Sequence, residues 1–412
     1  MKNYFCWKLS AAIAACLVVL IAPAGAGIKV RLSVKFINNI TGTAPTGAFG
    51  NATGFAQEIT RGNQILDDTA RGYSLQVVEY LSIQPPAPPG GPVNQTCGTQ
   101  NGMAVVTCSN TTGLQNCMLV QGPGIPANTV ILSSVANTSF TMSANATATN
   151  GSAALTMSFS PNTWYILPAR AKRAVIEAAA LANQAAWGWN ANAINIYVNN
   201  SASGQCSFVG SGLSISLGST FGTGTVLHEV GHFFNLQHTH SGDYADQPGF
   251  NTAGFVYGLS HLTDGDNQEE TASDNPNISA RDQLSNALYG TNFNNLTDLG
   301  KARVNSAFDN VMSYHEEDVL LPAQMDLWTK FANAQRAPFT TGRSWFVSWG
   351  GADGNTGLEV NQSFASLQRS IDAVGGGDDM ILLRGGPYTL PSGTLTKPCT
   401  LTATYGPVTL TR

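Results

Sequence analysis

From residue 28 to residue 37 apolar side chains (Ile28, Val30, Leu32, Val34, Phe36) alternate with polar ones (Lys29, Arg31, Ser33, Lys35). A period of two predicts a first strand there. After a Gly/Thr/Pro/Asn loop, Phe55, Ile59, Leu66, Ala70 and Tyr73 recur at helical spacing and predict a helix over 54–70. Residues 74–83 read as a second strand, and the run QPPAPPGG at 84–91 reads as a linker. Residues 92–160 then change character. They are almost free of charge, rich in Thr, Asn, Ser and Gly, and broken into short β runs at 103–108, 129–135 and 154–159. The earlier pattern resumes at Trp164. Pro168 stands where a helix start tolerates proline, and the Ala-rich stretch 171–187 predicts that helix. Residues 193–198 form a strand. Residues 208–217 form another, expected at the sheet edge, where an extended peptide could lie. A long loop follows over 239–282, and a closing helix is predicted over 320–334.

Between the last strand and the long loop lies His228-Glu229-Val230-Gly231-His232-Phe233-Phe234-Asn235-Leu236-Gln237-His238. On a helix, His228 and His232 are four residues apart and project from one face, so two imidazoles can meet one metal. Glu229, one step round, can take a proton from a water whose pKa the metal lowers. His238 stands six residues past His232 and cannot reach the same metal if the helix continues. The helix must therefore end, and Asn235 is placed to end it in the left-handed conformation. Thr223 or Thr225 can cap its start near Val226. Three neutral histidines leave one position for water, which is the catalytic rather than the structural zinc arrangement. The chain's six histidines all fall between residues 228 and 315. Surface or supporting roles suit His240, His261 and His315.

The motif H-E-x-x-H-x-x-x-x-x-H resembles the zinc signature of metzincin peptidases, with Asn235 where that family has Gly. Asn310-Val311-Met312-Ser313-Tyr314 is similar to its Met-turn. HEVGHFFNLQHTH, Gly265-Asp266 followed by Asp274-Asn275-Pro276, and NVMSYH followed by Leu320-Leu321-Pro322-Ala323-Gln324 are most similar to the pappalysin-like branch. The resemblance runs from about residue 28 to residue 336, apart from the insertion. It implies an α+β, metzincin-like protease domain over 27–342, with a mixed twisted sheet, a zinc helix and a Met-turn. It also implies zinc on His228, His232 and His238, with Glu229 as general base. Met312 would form an apolar floor beneath the metal, and Tyr314 would hydrogen-bond the tetrahedral intermediate. Calcium is implied in the acidic loop, at Asp264, Asp266 or Thr271; a solvated acidic loop is the competing reading. Residues 92–160 resemble a small β module of bacterial surface and phage-associated proteins. Residues 343–412 look like the opening of a right-handed parallel β-helix, with room for about two coils.

Composition adds the setting. The chain has 412 residues, only 11% of them charged, and a net charge of −5. No basic patch suggests a nucleic-acid partner. Residues 1–26 read as a signal peptide: Lys2 and Lys8, an apolar run from Ala11 to Ala22, then Ala24-Gly25-Ala26. Secretion, to a periplasm or cell surface and in a bacterial setting, is therefore expected, without a transmembrane anchor. Cys97, Cys108, Cys117, Cys206 and Cys399 remain after cleavage, an odd number whose connectivity the sequence leaves open. The leading expectation is a secreted zinc endopeptidase acting on protein or peptide substrates. The alternative is a non-catalytic surface protein that binds a glycan or cell-surface partner through its β modules.

Overall fold

The computed structural model describes residues 27–411, except 89, 168, 203, 207–208, 240–279, 316–317 and 392–396. The leader expected at 1–26, His240, His261 and the calcium ligands expected at Asp264, Asp266 and Thr271 lie outside the described residues.

A five-stranded sheet organises the molecule. Its first strand is β1 (Ile28–Ile37), followed by helix α1 (Ala52–Asp68) and β2 (Tyr73–Ile83). An all-antiparallel insertion comes next: β3 (Val93–Thr99), β4 (Val105–Thr107), β5 (Leu119–Gln121), β6 (Ile131–Val135), β7 (Ser139–Met142) and β8 (Asn150–Ser158). The main body resumes with α2 (Thr163–Ile166), α3 (Ala169–Ala182), β9 (Ile194–Asn199), β10 (Gly204–Cys206), β11 (Ser214–Gly218) and α4 (Thr225–Phe233). Helices α5 (Arg281–Tyr289), α6 (Asp298–Phe308) and α7 (Pro322–Asn333) complete it. The chain ends in β12 (Ser344–Val347), α8 (Leu367–Ala373), β13 (Met380–Thr389) and β14 (Thr400–Thr411).

The main sheet runs β10-β11-β9-β1-β2. Strands β11, β9, β1 and β2 are parallel, and β10 lies antiparallel on β11. Helices cover both faces, as a parallel sheet requires. On one face Val30, Leu32, Val34 and Phe36 of β1 pack against Phe55 and Leu66 of α1, Val226 and Val230 of α4, and Trp328 of α7. On the other, Ile37, Ile83 and Tyr197 pack with Ile176 of α3, Trp164 and Trp187. The second face also buries Lys35, whose Nζ donates to Asn195 Oδ1 at 2.5 Å. Because both faces are covered, β1 buries Ser33 and Lys35 of its polar set as well as its apolar set, while Lys29 and Arg31 stay half-buried.

The edge of this sheet corrects an expectation. Residues 208–217 are not one edge strand. A turn, with Gly210 at φ 84°, folds the chain so that β10 forms the edge and β11 becomes an interior strand. Two glycines in Gly210-Ser211-Gly212 were the signal for that turn. Helix α3 is also shorter than 171–187, because residues 183–188 turn and bury Trp187 against Tyr197. Helices α5 and α6 had no counterpart in the hydrophobic pattern. The buried apolar side chains they share are Leu284, Val304, Ala307 and Phe308, too few positions to show a period.

The insertion forms its own six-stranded sheet, order β5-β8-β3-β4-β7-β6, around Val106, Val120, Phe140, Leu155 and Met157. At the other end, β12, β13 and β14 make a three-stranded parallel sheet. It docks on the main body: Phe346, Met380 and Leu382 join the principal core, and Asn333 of α7 donates to the carbonyls of Ser344 and Leu358. A β-helix is more than this single sheet shows.

Candidate metal centre

Helix α4 carries the first two histidines, and it starts without the expected cap. Gly224 precedes it at φ 94°, and neither Thr223 nor Thr225 caps it; the Thr225 hydroxyl donates to the Gly222 carbonyl at 2.8 Å. The cap comes from elsewhere. Glu58, buried on α1, accepts from the Gly224 N–H through Oε2 at 2.7 Å. A negative charge at a helix start complements the dipole there. Burial raises the Glu58 pKa, and the Gly224 N–H and the Arg61 charge only partly offset that.

The other end of α4 stops as its residues require. Asn235 adopts φ 69°, the left-handed conformation. The Asn235 N–H donates to the His232 carbonyl at 2.8 Å and the Leu236 N–H to that of Gly231 at 3.0 Å. Buried Arg336 seals this end. Its Nε donates to the Phe233 carbonyl at 2.9 Å, its Nη1 reaches the Gly212 carbonyl at 2.9 Å, and its guanidinium lies 3.8 Å from the centre of the Phe233 ring. A cation at a helix C-terminus is favourably placed.

The reversal at Asn235 returns His238 to the other two histidines. Its Nε2 lies 2.9 Å from that of His232 and 3.2 Å from that of His228. Nδ1 of His228 meets the Val311 carbonyl at 2.7 Å, and Nδ1 of His232 meets the Leu236 carbonyl at 2.7 Å. A carbonyl oxygen only accepts, so each Nδ1 carries the ring proton and each Nε2 presents a lone pair. The donor set therefore fits a divalent metal. Tetrahedral zinc with Zn–N bonds of about 2.0–2.1 Å separates its nitrogens by about 3.3 Å, within a few tenths of the spacing here. These three residues are the one such cluster among the described residues. The two carbonyls that orient the rings were invisible in the sequence, since any residue supplies a carbonyl; only the fold selects which two.

Val311 belongs to the turn at 310–314, so that turn sets the His228 ring. Asn310 holds it: its side-chain Oδ1 accepts from the Met312 N–H at 2.9 Å. Its amide also pairs reciprocally with that of Gln324, at 3.0 and 3.1 Å, with both residues buried. Met312 is fully buried beneath α4 at Gly231. A Cβ on Gly231 would stand 2.6 Å from the Met312 sulfur, so the close approach of helix and turn depends on that glycine. Tyr314 lies on the open side, 37% exposed, its ring centre 5.0 Å from that of His238 and 5.8 Å from that of His228. His315 is not brought to the cluster; it stacks on Phe308.

Glu229 is buried, directly after His228 in the chain and against the edge strand. A Cβ on Gly204 of β10 would fall 2.5 Å from its Oε1. The edge strand and the Glu229 carboxylate therefore adjoin, on the helix that carries His228 and His232. No family model, curated protein or solved structure matches this chain, so the reading of the centre stands on its geometry.

Proposed function

We propose that this protein is a zinc-dependent endopeptidase of the metzincin type, exported from the cell and acting on protein or peptide substrates. The convergence of three imidazole nitrogens, two of them fixed in the ligating tautomer, carries the reading. His228, His232 and His238 would hold the metal. When bound, zinc supplies Lewis acidity toward a carbonyl oxygen and lowers the pKa of a water.

The chain's own groups would do the rest. An extended peptide would pair with the outer edge of β10 through its backbone, which places a scissile bond beside Glu229. Burial of Glu229 against Gly204 keeps its carboxylate in one position, where it would accept the proton of the attacking water and return it to the leaving amine. The Tyr314 hydroxyl, on the exposed side of the cluster, would donate to the oxyanion. Met312 would do no chemistry, but would hold the floor under α4.

The test is metal content and cleavage of a denatured protein substrate for wild type, Glu229→Gln and His232→Ala. We expect one zinc per chain and cleavage in wild type, zinc without cleavage in Glu229→Gln, and neither in His232→Ala. Chelation should lower the thermal midpoint of wild type and leave that of His232→Ala in place. Zinc without cleavage in wild type would replace the peptidase by a binding protein on the same scaffold. Absence of zinc from wild type would remove both.

A further inference from the structure

The odd set of cysteines left the connectivity open, and the insertion closes one pair. Cys97 lies near the end of β3, and Cys108 directly follows β4. Gly98 is paired with Thr107 in the antiparallel register. One step outward, the same register sets Cys97 opposite Cys108. Directly opposed residues in such a pair have Cα atoms about 4.5–5.5 Å apart, inside the range a disulfide spans. The side chains point at each other: the two sulfurs are 2.8 Å apart, as thiols. Met118, Phe140 and Met157 share this cluster.

We propose that Cys97 and Cys108 form a disulfide that staples the β3–β4 hairpin of the insertion, and that it is the one intrachain disulfide among the described residues. Cys117, Cys206 and Cys399 each sit in a different hydrophobic cluster. A second pair cannot close without taking one of those clusters apart. The five described cysteines thus resolve into one bridge and three thiols.

The chemistry needs a disulfide-bearing oxidant, either glutathione disulfide or a dithiol oxidase of the export route. The thiolate of one cysteine attacks a sulfur of the oxidant and releases one thiol. The thiolate of the other then displaces the second, forming the Sγ–Sγ bond. The two cysteine protons end on the two released thiols, and the electron pair leaves with them. Both cysteines are only 2% exposed once folded, and burial pushes the Cys97 thiol up to about 12. Neither would then react readily, so the bond forms before the insertion closes. Once made, it is shielded from reductant. This inference is independent of the metal centre, because the insertion has its own core.

The test counts thiols. Protein refolded in a glutathione–glutathione disulfide buffer is denatured, without reductant, in excess N-ethylmaleimide and weighed. Cys97→Ser and Cys108→Ser should each carry one adduct more than wild type, since each liberates its partner. Cys117→Ser should carry one fewer. If either hairpin variant does not fold, mapping replaces it. Cyanogen bromide cuts at Met103 and Met118, and in Cys117→Ser the fragments on either side of Met103 should stay joined until reduced. One adduct fewer in Cys97→Ser and Cys108→Ser, or fragments that separate without reductant, overturns the bridge.

Discussion

Glu58 stands far from the histidines in sequence, yet the start of the helix that carries them hangs on its carboxylate. Replacing it by alanine leaves the Gly224 N–H buried with its acceptor removed. An orphaned buried donor costs about 1–3 kcal/mol, and a lost helix cap about 0.5–2 kcal/mol; the two describe one event and are not summed. Part of the cost is offset because a buried charge is removed with it. The expected net loss is about 2 kcal/mol, or on the order of 2 °C in thermal midpoint for a chain of this size. The His228 N–H bonds the Gly224 carbonyl at 3.1 Å, so fraying there loosens the first ligand, and zinc affinity should fall a few-fold. Glu58→Gln keeps an acceptor without the charge and separates the two contributions. Because burial raises the Glu58 pKa, the unfolded chain ionises first as pH rises. The glutamate's contribution is therefore fully present below its ordinary pKa and lost as pH climbs through the folded value. Wild type should lose ground to Glu58→Gln as pH rises from the ordinary glutamate pKa through the raised folded one. Differential scanning at several pH values with zinc titration reads both effects. A Glu58→Ala protein that melts and binds zinc like wild type, or a pH-independent gap between wild type and Glu58→Gln, would refute this account.

Three more outcomes are expected. Gly204→Ala should keep zinc but lose most peptide cleavage, because its Cβ would occupy the place of the Glu229 carboxylate; metal analysis beside a cleavage assay checks it. Asn235→Gly should melt close to wild type, whereas Asn235→Val should lose about 1–2 kcal/mol, since φ 69° crowds a branched side chain; thermal unfolding decides. Burial lowers the Lys35 pKa to about 7, against the weaker pull of Glu79. Between that value and its ordinary one the unfolded chain holds the extra proton. Stability should therefore rise with pH across that interval in wild type and stay flat in Lys35→Met, as chemical denaturation at pH 7 to 10 would show.

The sequence by itself determined the helix with His228 and His232 on one face, the break at Asn235 and the return of His238, because each is local: a period, a backbone preference and a short span. It marked residues 92–160 as a separate β unit, since composition changes abruptly there. What only the tertiary structure decided is everything joined across long stretches of chain. Glu58 caps α4 from 166 positions away, the Val311 carbonyl sets the His228 ring from 83, and β10 rather than β11 forms the edge beside Glu229. Carbonyls, buried carboxylates and sheet order carry no local pattern. Their partners are fixed only when the core closes and every buried donor must find an acceptor.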